Sequence, residues 1–547
     1  MTLAVTRIAD LGEPGIGGVR LLLDRTPAGL DPFDPAALVV FAVGNSRRAL
    51  ALPGCTVVAK SPLSGGIGES RVFGPFGPAL ADTGYDALVL SGRAERPVYV
   101  LVTPSETRVL DASSVWGAGT RETTAWLRER HPDAHVAAIG PAGERRVRFA
   151  SVVTDLGYPA ARMGLGAVLG AKHCKAIVVV GGAPRPVPET RVTRDYVAEL
   201  LVNPLTRTEF EPPGFGAWPA PGQEGYLGAA NFATSRVGFS FGAADFTARL
   251  HRSADGCPGC PQDCLKSFAP DDSGTLHQEA VAVFAAQLGV HDLDEVLERN
   301  RWCHQVGVDP VSLGGVLAFH REVGGEPALR PEDIVARTGE GNLLAEGVAR
   351  AAAALGPATE PFALHSKGVE IPPFDPRGSH GLALAYAVHP LGPRYDGVEH
   401  DIDFDPVDGE ERFIARAGAS FPMATLNESK VDFVAGLMEL WSGYDAAGLC
   451  LFAAPPTRNL TEESAAELLS TVTGRPVTPA LVRRWGRTRL ALMREYNLRE
   501  GIPASADTLP DRFFDLPVDG GRLAGAVLDR TAFAAGVTRL RSRLGWS

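Results

Sequence analysis

Up to about residue 185 the apolar residues come in short runs rich in Val, Leu and Ile and broken by Gly, Pro and Asp. The runs are LLLD from Leu21, LVVFAVG from Leu38, ALVLSG from Ala87, PVYVLV from Pro97, HVAAIG from His135 and AIVVVGG from Ala176. Runs of this length and composition predict strands, with helical spacing confined to 120–131 and 162–172. Beyond Pro188 the spacing becomes helical. Asp292 with Glu295 predicts an N-cap and capping box, Leu293, Val296 and Leu297 the buried stripe, and Gly307 the left-handed position that ends the helix. Asp309 with Pro310 predicts the next start, so Asp309 has a capping role in hand before any chemistry. From about residue 373 a Gly-rich stretch, DPRGSHGLALAYA, leads through HPLGPRYDGVEHD to helices near 431–440, 460–472 and 482–495. The expected class is α+β: a β-rich base domain over 1–187, then two mainly helical domains over 188–372 and 373–547.

Length supports that division, since 547 residues exceed what one core covers. A net charge of -11 argues against nucleic acid or an anionic membrane as partner. No run approaches the length of a membrane span, and the start, MTLAVTRIADLGEPG, lacks a basic segment followed by an apolar one, so a cytoplasmic location is expected. Seven cysteines, an odd and low count, fit reduced thiols better than a disulfide framework.

Four of the seven change the picture. Cys257, Cys260 and Cys264 lie in CPGCPQDC, and Cys450 follows far downstream in YDAAGLC. A close triplet of thiolates with one distant partner suits a 4Fe-4S cubane, whose irons each take one soft ligand. Structural zinc is the competitor, although it usually pairs two short hairpin spacings. The triplet and the fourth cysteine fall in different domains, which puts the site at an interdomain seam. Cys55, Cys174 and Cys303 read as small buried apolar residues.

Several segments together resemble the aldehyde ferredoxin oxidoreductase family: KSPLSG at Lys60, GYDALVLSGRAERPVYV at Gly84, DASSVWG at Asp111, IGPAGERRVRFA at Ile139, GLGAVLGAKHCKAI at Gly164, the cysteine triplet, LGVHDL at Leu288, DPRGSHGLALAYA at Asp375, DAAGLCLF at Asp445 and DTLPDRF at Asp507. The resemblance implies a tungsten (or molybdenum) bis-pterin held against the base domain, with magnesium at the pterin phosphates and a 4Fe-4S cluster ligated by Cys257, Cys260, Cys264 and Cys450. It further implies oxidation of an aldehyde to a carboxylate, with electrons leaving to ferredoxin or another electron-transfer protein. The family's pterin-gripping element maps onto Asp445, Gly448, Leu449 and Cys450, and a second time onto His304, Gly307, Val308 and Asp309, where histidine replaces the opening carboxylate. Lys60, Arg71, Arg162 and Arg377 are the implied cofactor-binding cations. Glu279 and His400 are the implied proton-handling pair, with a helix-start carboxylate as the plainer reading of Glu279.

Departures from the family also stand in the sequence. Gly54 replaces an arginine that bridges cluster and pterin, Arg71 an asparagine of the phosphate loop, and His277 a glutamate. A Glu-x-x-His motif that bridges dimers through iron is reduced to Glu298 and Arg301, so a metal-bridged dimer is not expected. Two alternatives therefore stay open: a reductase of an acid or aryl thioester on the same scaffold, and a cluster-bearing electron-transfer or scaffold protein with a decayed pterin site.

Overall fold

The structure, a computed structural model, describes residues 2–546 except 186, 201, 204–210, 212, 215, 217–225, 254–255, 271–273 and 454–459. Its first third holds two sheets. One is antiparallel, with strands β1 (Ala4–Ile8), β2 (Val39–Ala42), β3 (Cys55–Lys60), β4 (Ile67–Val72) and β5 (Ala87–Ser91) in the order β1-β5-β2-β3-β4. The other is mixed, with β6 (Val98–Val102), β7 (Thr107–Asp111), β8 (His135–Ala138), β9 (Val152–Thr154), β10 (Tyr158–Ala160) and β11 (Cys174–Val179) in the order β10-β9-β8-β11-β6-β7. Residue alternation splits the second sheet between two apolar clusters. Val98, Val100, Val102, Ile177 and Val179 join the main core, while Tyr99, Leu101, Val136, Ala176 and Val178 pack beneath the helix Thr120–Arg130.

One expected strand is a helix. LLLD belongs to the helix Pro14–Arg25, where Pro14 supplies a ready first turn and the buried positions, Val19 and Leu22, fall at helical spacing. The reason for its glycines lies across the interface. A Cβ on Gly15 would come within 2.8 Å of the Asp445 carbonyl and 3.0 Å of Ala446 Cα, so the bare helix face lets the N-terminal unit lie directly on the helix Glu428–Ala447.

The rest is mainly helical. Asp292 caps the helix Leu293–Val306, although its side chain receives the Asp294 N–H and Glu295 turns to Arg299 instead of closing a capping box. Gly307 is left-handed at φ 70°, and Asp309 accepts from the N–H groups of Val311 and Ser312 to start Pro310–Glu322. Helices Glu428–Ala447, Glu462–Thr473 and Pro479–Arg499 occupy the three late segments with helical spacing. Among the described residues no helix is long and apolar enough to cross a membrane.

Candidate functional site

A partly open cavity of about 180 Å3 lies where β4, β10 and Arg162 of the sheet unit face the helical remainder. Its far side is formed by residues from several helical-region segments, among them Glu279, Asp309, Tyr395 and Phe452.

One wall is a network of paired charges. β4 projects Glu69 and Arg71, two apart and so on the same face of the strand, toward the helices. Arg71 forms an ion pair with Asp445 and reaches Asp396 at 2.9 Å. Arg394 grips Asp396 through both oxygens at 2.6 and 2.5 Å, and Arg489 bridges Glu69 to Asp445, the latter at 3.4 Å. Burial alone would push Asp396 up, but the Arg394 and Arg71 guanidiniums overcome it and hold the carboxyl well below its usual range. Asp445 is placed by the end of the helix Glu428–Ala447; Gly448, left-handed at φ 78°, turns the chain out into Leu449 and Cys450. Asp445 itself stands behind Arg71 and Arg394, which form the cavity surface.

The opposite wall carries groups that burial has shifted toward neutrality. Glu279, at the start of the helix Gln278–Val281, has its carboxyl raised to about 8, chiefly by burial, against the opposing pull of Arg162. Burial lowers both His277 and His304 to about 4. Arg162, left-handed at φ 67°, donates through Nη2 to the carbonyls of Glu370 (2.7 Å) and Pro393 (3.1 Å) and holds Nη1 3.5 Å from Asp309 Oδ2. Among the described residues Arg162 Nη1, Arg71 Nε and His304 Nδ1 are buried without a hydrogen-bond partner, and all belong to cavity-lining residues. Orphaned polar atoms of this kind, donors on the two arginines and an imidazole nitrogen on His304, are costly unless a ligand completes them. Their mixture with the Asp309 carboxylate suits a polar, anionic, ring-bearing group, so the residues present fit a pterin with phosphates.

The cysteine loop meets Cys450 just beyond the charged wall. Cys260 and Cys264 pack against the apolar cluster that contains Cys450, and Cys450 bears electrostatically on Cys257. Burial raises Cys257 well above the ordinary thiol range and Cys450 to about 12, while backbone hydrogen bonds oppose it: Gly74 at Cys257, Gln262 and Ala51 at Cys260, Phe452 and Ala453 at Cys450. Burial keeps these groups as thiols, and backbone groups directed at their sulfurs would suit thiolates ligating an iron-sulfur cluster, whose irons would supply the missing positive charge. Gly74 is irreplaceable here: its φ is +96°, and a Cβ would strike the Tyr158 ring at 2.6 Å. Among the described residues no group of three His, Cys, Asp or Glu side chains is closed around the space of a single metal ion, the four cysteines included. Cys55, Cys174 and Cys303 are buried in the main apolar core and form no disulfide.

The structure does not bring every implied residue to the cavity. Lys60 is held by Glu500 at 2.5 Å, and Arg377 is fully buried against Asp375 and the carbonyls of Phe232 and Leu516, so neither is available for phosphates. His400 stands behind the wall, its Nε2 bonded to the Tyr395 carbonyl and its ring edge-on to Phe374 and Tyr395. Gly307, Val308, Gly448 and Leu449 act through the backbone, as the turns that deliver Asp309 and Asp445. Sequence reasoning missed Arg394, Tyr395 and Asp396; three consecutive large polar residues after the apolar HPLGP were the available signal.

Two family models match the chain: "Aldehyde ferredoxin oxidoreductase, N-terminal domain" over residues 8–181 and "Aldehyde ferredoxin oxidoreductase, domains 2 & 3" over residues 216–547. The tungsten-containing aldehyde ferredoxin oxidoreductase of Pyrococcus horikoshii is 30% identical over 98% of this chain and 92% of the relative. That of Pyrococcus furiosus is 31% identical over 93% and 88%. Among solved structures, the active site complex BamBC of benzoyl coenzyme A reductase, in complex with 1,5-dienoyl-CoA, superposes with a TM-score of 0.84 at 21% identity, covering 98% of this chain and 91% of that one. With both family models matched and near-complete coverage of relatives at this identity, the chain belongs to the aldehyde ferredoxin oxidoreductase family.

Proposed function

We propose that this protein is a tungsten- or molybdenum-pterin oxidoreductase that oxidises an aldehyde with water to a carboxylate, passing electrons through a 4Fe-4S cluster to ferredoxin or a similar carrier. The observation that carries this reading is the contiguity of the cavity with the cysteine site: Arg71 lines the cavity, pairs with Asp445, and lies close enough to Cys450 to favour its thiolate. Cys257, Cys260, Cys264 and Cys450 would ligate the cluster. Asp309, Arg162, His304 and Asn300 at one end of the cavity, and Arg71 and Arg394 at the other, would hold the pterin. When bound, the metal supplies a two-electron acceptor and the cluster a one-electron path outward.

The chain's own chemistry centres on Glu279. A carboxyl near 8 is partly ionised at neutral pH and basic enough to take a proton from water as that water adds to the carbonyl carbon. The surrounding apolar surface, Leu391, Leu451 and Phe452 among it, limits competing water.

The test is purification without oxygen from cells supplied with tungstate and molybdate, followed by metal and pterin analysis and an aldehyde-dependent dye-reduction assay. The reading expects iron, pterin, one of the two metals and aldehyde-dependent reduction. Iron without pterin or either metal would replace it with an electron-transfer or scaffold role, and a Cys450→Ser variant that kept its full iron content would remove the cluster assignment.

A further inference from the structure

Two cavity-wall groups, Tyr395 and His277, have no part in the chemistry described so far. His277 precedes the helix Gln278–Val281, and its Nδ1 accepts the N–H of Glu279 at 3.3 Å. An imidazole nitrogen that accepts carries no proton, so the ring is in the neutral form with its hydrogen on Nε2. That nitrogen lies 2.8 Å from the Tyr395 hydroxyl oxygen. Nε2–H therefore donates to the phenol oxygen, and the phenol's own proton must point elsewhere. Among the described residues the hydroxyl makes no second hydrogen bond, and Tyr395 borders the cavity. The ring is held in place. Phe374 lies 5.7 Å from it, His400 packs edge-on at 5.8 Å, and His400 Nε2 fixes the Tyr395 carbonyl at 2.9 Å.

We propose that Tyr395 is a catalytic residue that donates its hydroxyl hydrogen bond to the substrate's carbonyl oxygen, and that His277 is the positioning residue that aims it. The inference rests on the aldehyde-oxidising reading above. As the water oxygen bonds to the carbonyl carbon, the C=O π pair moves onto the carbonyl oxygen and the water proton passes to Glu279. Tyr395 keeps its own proton throughout and stabilises the new negative charge. Burial raises the Tyr395 phenol well above its ordinary value, which keeps the donor protonated, and lowers His277 to about 4, which keeps the ring neutral. Glu279 lies beside the pair, its Oε2 3.8 Å from His277 Nδ1, so proton acceptor and oxyanion donor share one stretch of wall.

The test uses holoenzyme purified without oxygen, with acetaldehyde and benzaldehyde as substrates and acetate and benzoate as binding probes. Tyr395→Phe keeps the ring and its stacking. It should lower kcat by about a hundredfold with KM changed by less than about threefold, at wild-type iron, pterin and metal content. It should also weaken benzoate binding in calorimetry by about tenfold or more, since a hydrogen bond to a carboxylate is lost. His277→Gln leaves the hydroxyl but not its aim, and should lower kcat by an intermediate factor, again without a matching rise in KM. Wild-type kcat and benzoate affinity in fully loaded Tyr395→Phe would overturn the proposal. Loss of metal along with activity would overturn it too, making Tyr395 structural. A loaded wild-type enzyme that neither oxidises the aldehydes nor binds the carboxylates would instead refute the function reading, and this proposal with it.

Discussion

On one wall of the cavity Arg71, Arg394 and Arg489 face Glu69, Asp396 and Asp445; on the other, Glu279, His277, His304 and Tyr395 face the space with far fewer charged partners. Both walls are buried, yet their acids are driven in opposite directions. Asp396 is locked in its charged form by two guanidiniums, whereas Glu279, without an ion pair to arginine among the described residues, is raised to about 8 by the burial it cannot offset. Burial thus produces a fixed scaffold where charges are matched and a titrating group where they are not. The first wall adjoins the cysteines and the second faces the cavity.

The largest expected effect tests the matched wall. Arg71→Met strips a partner from two buried carboxylates and should cost about 3–5 kcal/mol, read as a lower denaturant midpoint at unchanged slope. A loss below about 1 kcal/mol would mean that Arg394 and Arg489 suffice and the network is redundant.

The next addresses the unmatched wall. Glu279→Gln should lower turnover by about a hundredfold with metal content intact. Because the carboxylate is the active form, the wild-type rate should climb with pH toward about 8, and the variant's residual rate should lose that dependence. Stability moves the other way. A carboxyl raised on folding contributes stability while protonated, which is lost as pH rises from its ordinary value of 4.5 through about 8, so apoprotein stability should fall over that window and Glu279→Gln should flatten the fall.

Smaller effects are expected at residues the cavity does not reach. His400→Phe, behind Tyr395, should change kcat by no more than about fivefold, acting only through ring placement; a loss near a hundredfold would return His400 to the reacting atoms. Lys60→Met should leave pterin and metal content unchanged and cost about 1 kcal/mol through its lost partner Glu500.

The sequence carried these regions unequally. Strand runs such as PVYVLV and the caps at Asp292, Gly307 and Asp309 were readable because alternation and capping act over a few neighbouring residues. LLLD misled because the same apolar run satisfies both periods, and what decides it is the Gly15 face meeting a helix more than four hundred residues away. That the cysteines lie near one another was readable from their spacing, and that Glu279 borders the cavity from the resemblance. Lys60 and Arg377 were assigned to phosphates because a cation's charge is visible in the chain while its partner is not; Glu500 and Asp375 consume them. Tyr395 was invisible for the same reason, since its significance lies in one hydrogen bond to a residue 118 positions earlier.

Ala51, left-handed at φ 59°, accepts the N–H of Cys450 at 2.7 Å through its carbonyl and directs a backbone hydrogen bond to the Cys260 sulfur. A single alanine thus ties together stretches from the start, middle and last fifth of the chain. During synthesis, the ribosome has long since released Ala51 and the cysteine triplet when Cys450 is finally added. A product ending before Cys450 has neither the fourth thiol nor the segment that Ala51 latches, so the three stretches can meet only once the chain has been made past residue 450.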